Sequence, residues 1–284
     1  CLLLGALAGF ALWRLARRLA GAAGGLAALG LFAFSPAFLA HAPLIATDVP
    51  FCLFLLLALF GLLDIRDGRL RRGASWLTIG LGGGAAAKFS MVFFLPLIGG
   101  LGGALVLERF VRGQKANAAG TALALAASDA GAIALLWLAY LAPWLWAGRQ
   151  APSPLGGWLP APYWRGLDFA REHLANRPSY LFGETRFSPW PLYYPIAFAL
   201  KATLPFLALF AASLLAALRS PRRLPAETAA VLAALAYCLA AYEMVDLQIG
   251  IRHFLPFWLF AFLLCGMAAG AAAKERRRFW RKSA

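Results

Sequence analysis

The chain has 284 residues, of which 62% are hydrophobic and only 14% charged, with a mean hydropathy of +0.71. A soluble domain carries roughly 25% charged residues, so this composition excludes one, and several apolar stretches reach the ~20 residues that span a bilayer. The net charge of +15 does not require nucleic acid, because 19 of the 27 Lys and Arg fall in five knots.

The knots are Arg14/Arg17/Arg18, Arg66/Arg69/Arg71/Arg72, Arg109/Arg112/Lys115, Arg219/Arg222/Arg223 and the six basic residues of the tail 274–284. Short basic loops between apolar segments are what the positive-inside rule places in the cytoplasm. On that premise the chain is an all-α polytopic membrane protein of about 8–9 transmembrane segments, with 1–284 as a single transmembrane domain. Residues 1–13 run inward and 19–40 outward, and 49–65 return. The apolar stretch 74–107 starts and ends on basic loops, so it goes out and back as two helices bent between Lys88 and Pro96. Residues 119–147 exit, 193–217 re-enter, 227–245 exit and 254–273 re-enter, leaving 274–284 as a basic cytoplasmic tail. Residues 148–192 form one long extracytoplasmic loop, with the Trp and Tyr that favour a membrane interface.

Cys1 opens inside an apolar run, "CLLLGALAGFALW", that lacks the basic n-region and small-residue cleavage site of a signal peptide, so the chain is expected to be N-terminally truncated. Cys1, Cys52, Cys238 and Cys265 lie in apolar segments with no CxxC and no His at ligand spacing. They predict packing residues rather than disulfides or a zinc site. "GLGGGAAAKFS", Gly80–Ser90, lacks the consecutive Gly-Lys-Ser/Thr of a phosphate-binding loop, and its glycines suit close helix packing.

Ionisable groups at membrane depth are costly and usually face a cavity or a partner. Asp48, in "HAPLIATDVPF", begins a helix where the dipole favours an anion; it is either a capping residue or a carboxylate facing a cavity. Lys88 and Lys201 either snorkel to an interface or face an anionic phosphate. Arg252 and His253, in "IGIRHFLPFW", precede another helix start with proline; they are a loop pair or a phosphate-binding pair. Asp129, Glu184 and Asp246 are weaker candidates. Asp48, Lys201, Arg252 and Lys88 all map to the outer face. A carboxylate with several cations there suits attack by an acceptor hydroxyl on a sugar carbon, with a lipid phosphate as leaving group.

Four stretches carry a family resemblance: Ser35–Leu62 with its Thr-Asp-x-Pro element, "GLGGGAAAKFSMVFFLP", "YLFGETRFSPWPLYYPIAFALKATLP" and "IGIRHFLPFW". Together, in this order, they resemble family 39 glycosyltransferases, the protein mannosyltransferase relatives that use polyprenyl-phosphate sugars. The resemblance implies a GT-C-type bundle and inverting transfer of one sugar from a polyprenyl-phosphate carrier to a hydroxyl acceptor on protein, lipid or glycan at the extracytoplasmic face. It implies a catalytic role for Asp48 and carrier-phosphate contacts for Lys201, Arg252, His253 and Lys88. It also places Cys1 after the family's first helix and large acidic loop, which the chain is expected to lack. A bacterial inner membrane is the expected location, and no nucleic acid is expected as partner. No DxD pair points to a divalent metal, and the sequence names no cofactor. The rival reading is a transporter or flippase of a lipid-linked sugar, but no inverted repeat of broken helices supports it.

Overall fold

The computed structural model describes residues 1–146, 158–174, 177–219, 224–244, 248 and 250–283. Arg222, Arg223, Asp246, residues 148–157 of the expected loop and Ala284 lie outside the described residues. In chain order the elements are α1 (Leu2–Ala33), α2 (Pro36–His41), α3 (Asp48–Arg66), α4 (Leu70–Ala87), α5 (Met91–Val111), α6 (Lys115–Trp146) and α7 (Ala161–Leu174). A short hairpin of β1 (Ser179–Leu181) and β2 (Glu184–Arg186) follows. Then come α8 (Tyr193–Lys201), α9 (Leu204–Leu218), α10 (Ala226–Glu243), a 3-10 turn (Ile251–Phe254) and α11 (Leu255–Ser283). Helix dominates, as the composition requires. Six stretches among the described residues are long and apolar enough to cross a membrane, namely Leu2–Ala33, Asp48–Arg66, Met91–Val111, Lys115–Ala142, Ala226–Glu243 and Ile251–Arg276. The chain divides into two compact units, Cys1–Cys52 with Pro178–Ala284, and Leu53–Arg177, the boundary falling within α3.

In the first unit, α1 is a helical hairpin rather than a straight rod. Gly21 adopts φ 79°, ψ −173°, a left-handed backbone that only glycine enters without strain. A Cβ on Gly25 would lie 3.1 Å from the Trp13 carbonyl oxygen, and one on Gly9 would lie 2.9 Å from the Phe32 ring. Residues 13 and 25 would be about 18 Å apart along a continuous helix, so residues 2–20 and 22–33 run antiparallel. The turn expected at Arg14/Arg17/Arg18, between 1–13 and 19–40, falls at Gly21 instead, so the first leg carries that knot.

The hairpin packs on α11 through bare backbone. A Cβ on Gly24 would stand 2.7 Å from the Gly266 carbonyl oxygen, and one on Gly266 would stand 2.7 Å from that of Gly24. Small residues allow this approach in membranes, where packing rather than water exclusion drives association. Gly24→Ala should therefore lower stability by about 1–3 kcal/mol, read as a fall in the melting midpoint of the detergent-solubilised protein. Gly30, whose added Cβ would meet nothing within 4 Å, is the control: Gly30→Ala should leave the midpoint unchanged or raised, since alanine is the better helix former.

The rest of this unit is an aromatic core around α11. Trp258 and Phe254 are fully buried, as is Tyr194 from α8. Phe206 stacks on Trp258 at 5.5 Å, Phe254 on Phe257 at 4.5 Å, and Tyr194 tilts on Phe254 at 4.9 Å. The contacts of Tyr194 with Phe254, of Phe198 with Trp258 and of Ser213 with Cys265 advance together along α8–α9 and α11. The two traverses therefore run in the same direction. Arg219 and the tail then reach the end where Arg14, Arg17 and Arg18 sit, because Gly270 packs on Ala20. Arg252 lies at the other end, about 27 Å away along eighteen helical residues.

In the second unit, too, basic knots come together. Arg109 donates through Nη2 to the Ile65 and Arg66 carbonyls at 2.8 and 2.9 Å and contacts the Thr121 hydroxyl. It thereby closes the C-terminus of α3, where four carbonyls lack helical partners. The second and third knots thus meet at one end. Fully buried Asp64 receives Arg69 at 2.8 Å and Arg72 at 2.8 Å, and this pairing raises the Arg69 pKa above its ordinary value. The glycines of "GLGGGAAAKFS" lie in α4, where an added Cβ would meet Ala58 from Gly80 and Ala132 and Leu135 from Gly82. The bend expected between Lys88 and Pro96 falls at residues 88–90, and Pro96 is carried inside α5.

Three differences from the expected segments have local causes. The traverse expected over 193–217 is broken at Ala202 and Thr203, both extended, ahead of Pro205. "YLFGETR" forms an antiparallel hairpin in which Tyr180 faces Thr185 and Leu181 faces Glu184. Its turn needs φ > 0 at both central residues, and Phe182 (51°) and Gly183 (87°) supply it. The tail from residue 274 continues α11 rather than leaving it.

Candidate functional site

Two helix starts bring the polar residues of the first unit together. Asp48 is the first residue of α3, and the Thr47 carbonyl accepts from the Phe51 N–H at 3.0 Å. Pro50 sits in the first turn, where a missing N–H breaks no helical bond. In the other, Gly250 (φ 126°) turns the chain into Ile251–Phe254 and then α11, with Pro256 in its first turn.

Asp48 is 5% exposed, and its Oδ1 lies 3.9 Å from His253 Nδ1. On the other side of the ring, His253 Nε2 accepts from Arg252 Nε at 3.3 Å. With Nε2 accepting, the neutral imidazole carries its proton on Nδ1, the nitrogen facing the carboxylate. Arg252 is exposed while Asp48 is buried, so a line of three polar groups leads from the surface to a sheltered carboxylate. Tyr242 is within electrostatic range of Asp48 and of Tyr194.

The two lysines are placed differently. Lys201 is exposed and ends α8. α8 begins with Tyr194 against Phe254, which sets Lys201 about 10 Å further along by helical rise. Lys88 belongs to the second unit, follows α4 in an extended conformation and is half-buried. It stands at the end away from the arginine knots, about 25 Å along α4 from Arg71. Both lysines sit at helix C-termini, where the dipole favours a cation, and this accounts for their position without a ligand. The structure thus brings Asp48, His253 and Arg252 together and puts Lys201 on the neighbouring helix.

Among the described residues, His41 and Glu184 have local partners and Asp129 does not. His41 Nδ1 donates to the Ala37 carbonyl at 2.7 Å and closes α2. Glu184 pairs with Arg186, two residues on along β2, at 2.7 Å. Asp129 is exposed midway along α6, with no ion pair or hydrogen bond to it among the described residues. No group of three or more His, Cys, Asp or Glu is clustered as metal ligands among them either.

Sequence reasoning missed two residues. Glu243, the last residue of α10, accepts the Tyr194 N–H at 3.0 Å and so caps α8. Gln248, 3% exposed, accepts the Trp190 N–H on Oε1 at 2.6 Å and donates through Nε2 to the Trp190 carbonyl at 2.9 Å. The polar run after "AAY" marks the end of α10, but its partners sit some fifty residues upstream and are not legible from spacing.

A family model described as dolichyl-phosphate-mannose-protein mannosyltransferase matches residues 1–146. The match contains Asp48 and Lys88 and stops short of Lys201, Arg252 and His253. No curated relative matches the chain, and neither does any solved structure.

Proposed function

Because the chain belongs to the dolichyl-phosphate-mannose-protein mannosyltransferase family, and is thereby a membrane glycosyltransferase using a lipid-phosphate sugar donor, we propose that it transfers the sugar with inversion to a hydroxyl acceptor at the extracytoplasmic face. The observation that carries this reading is the buried Asp48 carboxylate reached from the exposed Arg252 through His253. In the proposed step the acceptor hydroxyl gives its proton to Asp48 and its oxygen bonds to the anomeric carbon on the face opposite the phosphate. The bond from that carbon to the phosphate oxygen breaks, and its electron pair leaves with the polyprenyl phosphate. Arg252 and Lys201 neutralise the charge that accumulates there. His253 holds Asp48 on one side and Arg252 on the other, so the base and the phosphate-facing cation keep a fixed separation. Lys88 is a further contact of the carrier phosphate in this reading.

The orientation follows from the basic knots, which gather at one end of each unit and read as cytoplasmic. The crossings of a GT-C-type bundle reach eight or nine when the two legs of α1, α4, and α8 with α9 are counted beside the longer spans, with residues 148–192 outside. The expected membrane is the bacterial inner one.

The test uses the protein in proteoliposomes with a radiolabelled polyprenyl-phosphate sugar, following carrier phosphate released and label in the acceptor. Arg252→Ala should lower kcat about a hundredfold, as loss of one donor to developing charge does, with a smaller change in KM. Labelled lipid that crosses the bilayer intact, with no sugar transferred, would replace this reading with a flippase.

A further inference from the structure

Trp190 lies between Pro189 and Pro191. Proline has no N–H, so Trp190 carries the one backbone donor in this tripeptide, and a residue before proline is biased to an extended conformation. Buried Gln248 takes both main-chain groups of that residue, the N–H at 2.6 Å and the carbonyl at 2.9 Å. The Arg186 guanidinium lies 3.7 Å over the Trp190 ring, which adds a cation–π contact to the same residue. Two residues on, Leu192 turns the chain with φ 57°, and α8 starts with its first turn capped by Glu243. The Tyr193 hydroxyl reaches the Gly250 backbone. The segment 190–194 is therefore stitched to the α10–α11 connector at three points, and the connector also carries Arg252 and His253.

From this arrangement we infer that Gln248 is a positioning residue: it fixes the stiff Pro-Trp-Pro strap, and through the short rod of α8 it sets where Lys201 stands relative to Arg252. This rests on the function proposed above. Gln248 is four residues from Arg252 and Lys201 is the last residue of α8, so one amide side chain couples two cations that lie eleven and four residues from its two ends. A glutamine at this point matches both polar atoms of an extended residue, as a neighbouring strand would, and neither an acid nor a hydrophobe does.

Gln248→Ala is measured in proteoliposomes for kcat and KM toward the lipid-phosphate sugar. In parallel, hydrogen–deuterium exchange is followed over residues 187–194, with the melting midpoint as a folding control. Displaced cations misplace stabilisation of the leaving phosphate, so kcat should fall about tenfold to a hundredfold while KM changes less than about twofold. Exchange should accelerate in 187–194 at a near-constant midpoint. Gln248→Glu keeps the acceptor for the Trp190 N–H and should recover part of kcat. A freed strap with unchanged kcat overturns the positioning role while the transferase stands, and unchanged exchange overturns the clamp itself. If wild type transfers no sugar, the function proposed above fails, and the exchange result still decides the clamp.

Discussion

Asp48→Asn should abolish transfer, lowering kcat by about a thousandfold, within the range lost with a general base, and leave the fold in place. Asparagine is nearly the same shape and serves well at helix starts. The change removes the charge–dipole contribution at α3, about 0.3–1 kcal/mol for a group in the first turn, and weakens the interaction with His253 at 3.9 Å. Activity and melting midpoint, measured on one preparation, therefore separate the two roles left open by the sequence. Loss of both together would make Asp48 a structural cap, and retained activity would remove it from the chemistry. His253→Ala should behave differently, because it leaves a buried carboxylate without the ring beside it and should cost stability as well as rate. The two changes share one contact, so their combination should be less damaging than the sum.

The largest effect on stability is expected in the second unit, at Asp64. Its carboxylate is fully buried between Arg69 and Arg72, whose side chains are 45% and 59% exposed. The three groups are therefore unequal. Removing both arginines takes two guanidiniums from a charge held out of water, and breaking a buried pair this way costs about 3–5 kcal/mol. Removing the carboxylate instead releases two guanidiniums that water solvates. Arg69→Ala with Arg72→Ala should thus be severely destabilised, and adding Asp64→Ala should restore much of the loss. Thermal or denaturant unfolding of the double and triple variants in detergent decides this. A triple variant no more stable than the double would mean that the arginines contribute by packing alone.

The parts of the fold that were legible in the sequence are those set by composition. Arginine knots between apolar runs predict where segments end, and in each unit the structure gathers them at one end. Lys88 marks the break between α4 and α5 because two basic loops force a long apolar run to turn back. Pro96, the other end of the expected bend, is carried inside α5 instead. The break at Ala202–Thr203 is signalled by Pro205, but the apolar residues on both sides read as one continuous helix. The hairpin at Tyr180–Arg186 depends on φ > 0 at Phe182, a conformation no propensity assigns to phenylalanine. Asp48, Arg252 and His253 stand out in the sequence because each is polar beside a proline-marked helix start. Glu243 and Gln248 do not, because their meaning lies in backbone groups distant in sequence.

The broken traverse of α8 and α9 has a consequence for hydration. Ala202 N–H reaches Phe198 and Leu207 N–H reaches Thr203, but the carbonyls that close α8 have no following turn to donate to them. A backbone polar group left unpaired in hydrocarbon costs several kcal/mol, so irregular backbone at that depth is tolerated only where protein covers it or water reaches it. Lys201 at the break is exposed, and an ammonium there needs solvent no less than the carbonyls do. If α8 and α9 cross a bilayer together, as the function proposed above has it, water would have to reach about 14 Å down from Tyr193, by the rise of nine helical residues. In that proposal the carrier phosphate would meet Lys201 in a hydrated setting rather than in hydrocarbon.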